Sequence, residues 1–110
     1  MNDLISKKCV PCEGGMPAFP DIVIKEYLKH APGWEGIFEI PRKIFRAFKF
    51  KNFVEAMQFV NKVAEIAENE QHHPDIFISY NKVRIELWTH AISGLSENDF
   101  ILAVKINRIV

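Results

Sequence analysis

Apolar residues recur at three- and four-residue steps between Asn52 and about Glu70: Phe53, Ala56, Met57, Val60, Val63, Ala64 and Ala67. That step predicts a helix with one core-facing stripe. Asn52 and Glu55 have the spacing of a capping box, with Asn in the usual Ser/Thr place. Beyond the helix, Ile76 to Tyr80 and Val83 to Thr89 read as strands, and only Asn81-Lys82 separates them, which predicts a tight hairpin. Upstream, Lys43 to Phe50 alternates, with Ile44, Arg46, Phe48 and Phe50 on one face and Phe45, Ala47 and Lys49 on the other. Trp34 to Ile40 predicts a strand before it, broken at Pro41. Asp21 is a candidate N-cap for a short helix to about His30, with Ile24, Tyr27 and Leu28 on one face, and Pro32-Gly33 ends it. Ser96 opens a last helix that runs to about the C-terminus, with Glu97 and Asp99 favourable to its N-terminal dipole. Met1 to Pro20 is rich in turn formers and reads as a non-regular arm.

The order α-β-β-α-β-β-α implies an α+β domain: a four-stranded antiparallel sheet with helices packed on one face. Residues 1–20 form the arm and 21–110 the single domain. Such a sheet leaves one face and two edge strands uncovered, which predicts a homo-oligomer, a dimer at least. The last helix points the same way. Leu102, Ile106 and Ile109 make one stripe, while Phe100, Ile101, Val104 and Val110 add apolar surface around it. The alternative is an arm, with Val10, Met16 and Phe19, folded back over this helix.

Composition narrows the function. Fourteen basic residues balance fourteen acidic ones, so no net field favours nucleic acid or a membrane surface. No apolar run approaches the ~20 residues of a membrane span. The N-terminus carries no continuous apolar segment of the kind a signal peptide needs, and two cysteines do not make a disulfide framework. The expectation is a cytoplasmic protein.

The candidate chemistry lies in the histidines, whose ordinary pKa of ~6.5 lets them donate and accept protons near neutral pH. A two-residue turn at Asn81-Lys82 sets Tyr80 opposite Val83. Counting outward pairs Ile78 with Ile85, Phe77 with Glu86, Ile76 with Leu87, Pro74 with Thr89, and His73 with His90. Pro74 holds His73 extended, so His72 and His73 point to opposite sides of the chain. That divergence is poor for one tetrahedral metal and disfavours a three-histidine zinc site. The plain alternative is a surface hairpin with incidental histidines. Glu68, in the last helical turn, is placed either to orient a histidine or simply to be solvated. Cys9-x-x-Cys12 is half a zinc site, a redox pair, or two reduced thiols, and no second cysteine pair completes it. Trp34 reads as a buried aromatic, with ring stacking on a ligand as the alternative, and His30 as a helix-end residue facing the dipole.

The run Glu68-x-x-x-His72-His73-Pro74-x-x-Phe77-x-x-Tyr80-Asn81-Lys82-Val83, then Leu87-x-Thr89-His90 and Gly94-Leu95-Ser96-x-x-Asp99, with Phe48-x-Phe50-x-x-Phe53 upstream, resembles the pterin-4a-carbinolamine dehydratase family. The resemblance covers about Trp34 to Val110, and the Cys9-x-x-Cys12 arm resembles bacterial-type members. It implies dehydration of 4a-hydroxytetrahydropterin to the quinonoid dihydropterin in pterin recycling. It assigns proton transfer to His72 and His90, and substrate binding to His73 together with Pro74, Glu68 and Thr89. The chemistry calls for no metal and no cofactor. The implied partners are the pterin substrate and further copies of the chain, as a dimer or tetramer. Some relatives act instead as protein-partner factors, so a non-catalytic binding or assembly module on the same fold is the second reading. The chain departs from the family pattern at Gln71, where some members carry an acid, and at Trp88, where a small polar residue is common. Both bear on pterin contacts and pocket width.

Overall fold

A computed structural model describes residues 4–10 and 17–110. After one short 3-10 turn at Leu4–Ser6, the elements run α1 (Asp21–Leu28), β1 (Glu35–Ile37), β2 (Lys43–Lys49), α2 (Phe53–Glu70), β3 (Asp75–Ser79), β4 (Lys82–Leu87) and α3 (Glu97–Asn107). The strands form one antiparallel sheet in the order β1-β2-β4-β3. The α+β class and element order match the sequence reading. Cys12 and Met16 lie outside the described residues. Among the described residues, no helix is long and apolar enough to cross a membrane.

The core forms where the helices meet the inner face of the sheet. Ile44 and Phe48 of β2 and Val83, Ile85 and Leu87 of β4 are buried against Ala56, Phe59, Val60 and Val63 of α2 and Leu102 and Ile106 of α3. The expected stripe on α2 holds at Ala56, Val60, Val63 and Ala67, but Phe53 and Ala64 are exposed and Phe59 is buried instead.

Several boundaries shift for local reasons. Pro20, not Asp21, is the N-cap of α1; Asp21 is its first helical residue and pairs with Arg42. β1 is shorter than expected because the Trp34 amide is committed to Ala31 O (3.2 Å) in the turn after α1. Gly33 takes φ +88 in that turn, where a Cβ would meet the Arg46 guanidinium at 2.8 Å. Trp34 is a buried aromatic whose Nε1 donates to Asn107 Oδ1 (2.9 Å).

The hairpin register differs from expectation by two residues. The turn is Tyr80-Asn81, not Asn81-Lys82, so Ser79 faces Lys82, Ile78 faces Val83 and Ile76 faces Ile85. The Asn81 side chain donates to Phe50 O (2.9 Å) and the Phe50 amide to Asn81 O (2.8 Å). These two bonds tie the turn to the end of β2, and Tyr80 accepts φ 52 as the consequence. The His73–His90 pairing is therefore wrong. The β3–β4 ladder ends at Asp75–Glu86, and His90 lies past it in a 3-10 turn, His90–Ile92.

The arm packs on α3. Leu4 is buried, and Phe19 stacks on Phe100 with centroids 6.2 Å apart. The apolar girth of α3 is thus covered within the chain and no longer argues for a second copy. The outer face of the sheet stays open. It carries Phe45 beneath the Arg84 guanidinium (4.0 Å), Ala47, and Phe77, which is 53% exposed.

Candidate active site

The end of α2 sets the first histidine. Gln71 takes the left-handed conformation (φ 51, ψ 41) that ends many helices, and the His72 amide returns to Ala67 O (3.2 Å). This reversal turns His72 inward. Its side chain is 11% exposed, and its Nε2 lies 2.6 Å from Oδ1 of Asp99. The next residue turns outward, as extended geometry before Pro74 requires. His73 Nε2 lies 2.8 Å from Glu68 Oε2, and both side chains are exposed.

Asp99 belongs to the start of α3. It forms a reciprocal capping box with Ser96, and its Oδ2 accepts from the Ser96 amide (3.0 Å) and from Thr89 Oγ1 (2.8 Å). The carboxylate is fully buried, and with His72 donating it accepts three hydrogen bonds. This is what a buried carboxylate needs. It also leaves Nδ1 as the His72 ring nitrogen not engaged by Asp99.

His90 is held differently. Its ring stacks on Trp88 with centroids 3.9 Å apart and planes at 29°. The indole is fixed in turn: Nε1 donates to Asp75 Oδ2 (3.1 Å), and Lys43 Nζ sits 5.3 Å from the ring centroid. The loop that carries His90 is closed at its base by Thr89 N to Gly94 O (2.7 Å).

His72, His73 and His90 line one cavity of about 430 Å³, a size suited to a small ligand. Pro74 and Thr89 line it too, whereas Glu68 reaches it only through His73. Gln71 and Trp88, the two positions that depart from the family pattern, are both in its wall. Sequence reasoning missed several contributors, among them Asp99 behind His72, and Val10 and Asn98 in the wall. For Asp99 a signal existed, since Ser96-x-x-Asp99 has capping-box spacing. Nothing in the sequence pairs Val10 with Asn98, 88 positions away.

Cys9 does not behave as an activated thiol. Burial pushes it up to about 12, with the Glu70 carboxylate adding to the effect, and its Sγ is directed at Asn98 O (3.5 Å). A thiol held protonated in this way is not an activated nucleophile. Among the described residues, no group of three or more His, Cys, Asp or Glu could hold a metal ion.

Fold and site together define a class: an α+β domain with a histidine-lined pocket backed by a buried carboxylate. Residues 17–109 match the family model for pterin 4 alpha carbinolamine dehydratase. The chain is 42% identical over 109 residues to a protein of Rubrobacter xylanophilus provisionally named a pterin-4-alpha-carbinolamine dehydratase, covering 99% of this chain and all of that one. It is 47% identical to a protein of the same provisional name from Nitrosospira multiformis, covering 99% of this chain and 94% of that one. Among solved structures, a transcriptional coactivator/pterin dehydratase from Brucella melitensis superposes with a TM-score of 0.78 at 36% identity, over 84% of this chain and 97% of that one. A pterin dehydratase-like protein identified as a RuBisCO assembly factor in the alpha-carboxysome shares the fold, with a TM-score of 0.61 at 22% identity over 73% of this chain and 92% of that one. This chain belongs to the pterin-4-alpha-carbinolamine dehydratase family, a family of hydro-lyases.

Proposed function

We propose that the protein dehydrates 4a-hydroxytetrahydropterin to the quinonoid dihydropterin, as a step of cytoplasmic pterin recycling, by histidine acid–base catalysis. The reaction breaks one carbon–oxygen bond. One group protonates the departing hydroxyl so that it leaves as water. Another takes the proton from a ring nitrogen, whose electron pair forms the new double bond. The observation that carries this reading is three histidines on one cavity, one of them backed by a buried carboxylate.

In this reading His72 is the base. Asp99 fixes its tautomer and orientation, and Nδ1 accepts the ring proton. His90, stacked on Trp88, delivers the proton to the hydroxyl. His73, tethered to Glu68, positions the pterin beside Pro74 and Thr89. All the proton traffic runs through side chains of this chain, so turnover is expected to survive chelation.

The second reading is a binding or assembly module without turnover, and the RuBisCO assembly factor on the same fold gives it substance. The test is a dehydration assay on 4a-hydroxytetrahydropterin with and without a chelator. Acceleration that persists in the chelator supports the enzyme. Loss of water at the uncatalysed rate supports the module.

A further inference from the structure

The family match begins at residue 17, yet part of the pocket wall comes from the arm before it. Val10 lines the cavity, and the way it is held there is specific. The Asn98 side chain, with the residue only 4% exposed, grips the Val10 backbone from both sides. Asn98 Oδ1 accepts the Val10 amide (3.0 Å), and Asn98 Nδ2 donates to Val10 O (2.7 Å). A side-chain amide here takes the place of a neighbouring strand. One residue earlier, the Cys9 amide donates to Glu70 Oε1 (2.8 Å), while Glu70 Oε2 accepts from Lys105 Nζ (2.6 Å). Lys7 adds an ion pair to Glu97 (3.1 Å). The arm is therefore fastened at Cys9 and Val10 to the end of α2, which His72 follows, and to the start of α3, which carries Asp99.

Asn98 follows the helix cap by two positions and is buried in the cavity lining, where its amide needs partners from the protein. Its donor and its acceptor are both turned onto one residue, Val10, at the peptide units on either side of its Cα. A buried amide satisfied in this manner fixes a single position for the chain it holds.

We propose that the Cys9–Val10 segment is a wall of the ligand pocket, that Val10 contacts the pterin, and that Asn98 is the positioning residue that keeps it there. The substrate class rests on the function proposed above; the clamp itself does not.

The experiment uses the full chain and three variants: Asn98→Ala, Val10→Ala and Val10→Phe. Backbone amide exchange at Cys9 and Val10 reads the clamp. KM and kcat on 4a-hydroxytetrahydropterin, and fluorescence titration with oxidised pterin, read the wall. In the parent protein both amides are protected. Asn98→Ala is expected to lose that protection and raise KM about 10-fold with kcat nearly unchanged, the signature of lost uniform binding. Val10→Phe and Val10→Ala are expected to keep the amide protection and still weaken pterin binding. If Asn98→Ala does not fold, the Val10 pair carries the test, because neither substitution touches the buried amide. Unprotected amides in the parent overturn the clamp. Pterin affinity and KM unchanged in both Val10 variants overturn the wall. A parent with no turnover would sink the dehydratase reading alone, since exchange and pterin titration still report on the arm.

Discussion

Asp99 accepts three hydrogen bonds on two oxygens while fully buried. A buried carboxylate short of partners would cost several kcal/mol, so the bonds from Thr89, Ser96 and His72 are what make its position tolerable. The same bonds give it a role, because a carboxylate held by a helix cap and a buried hydroxyl cannot swing away from the imidazole. Asp99→Asn keeps the shape but replaces one acceptor oxygen by a donor, so the His72 tautomer is no longer enforced. Turnover is expected to fall about 10- to 100-fold, by analogy with losing the outer hydrogen-bond partner of a metal-bound histidine, with KM little changed. A kcat equal to that of the parent would show that Asp99 is only a cap. The sequence displayed Asp99 as an acid favourable to the dipole of the last helix, and its spacing from Ser96 also fits the capping box the structure shows. It could not display the second use, because the 2.6 Å contact to His72 joins positions 27 apart through tertiary packing.

Between elements, the period of the apolar positions made the helices and strands legible, and the turn chemistry did not settle the register. Asn81 suits either position of a two-residue turn. The choice was made by its bonds to Phe50, which lie across the sheet and outside any local pattern. A two-residue slip preserves side-chain parity, so Val83, Ile85 and Leu87 still face the core as the alternation requires. The histidines met in one cavity even so, because the 3-10 turn after β4 brings His90 back to the end of α2.

Three carboxylates also join elements. Burial alone would raise Glu70, but hydrogen bonds from Lys105 and the Cys9 amide outweigh it and hold Glu70 below the usual range. Glu86 is likewise raised by burial and lowered further by Arg84 and Lys43, which ties β4 to β2. Burial raises Glu97 too, and Tyr27 and Lys7 bring it down, which ties α3 to α1 and the arm. A group lowered in the folded state adds stability that is complete above its unfolded pKa, ~4.3 for Glu, and is lost as pH falls through the folded value. The urea midpoint is therefore expected to hold from pH 7 to about pH 5 and to drop steeply below pH 4. Glu70→Gln should make that drop shallower. Equal midpoints at pH 6 and pH 3 would contradict the assignment.

For the whole molecule, the open sheet face and the β3 edge leave apolar side chains uncovered. Phe77 and Tyr80, 53% and 66% exposed, stand on or beside that edge strand. Exposed strand edges and apolar patches mark contacts between chains, and a homo-oligomer is the expected use of this one. Light scattering at micromolar concentration should give at least twice the 12.7 kDa chain mass. A clean monomer would contradict this and leave the arm as the only cover the fold requires. The central claim concerns the pocket. It is tested most directly by the rate of 4a-hydroxytetrahydropterin dehydration in the parent protein and in His72→Ala and His90→Ala. The account predicts catalysis in the parent and a loss of on the order of 10²-fold or more in each variant, as for removal of a general acid or base. Turnover near the parent rate in both variants would contradict it.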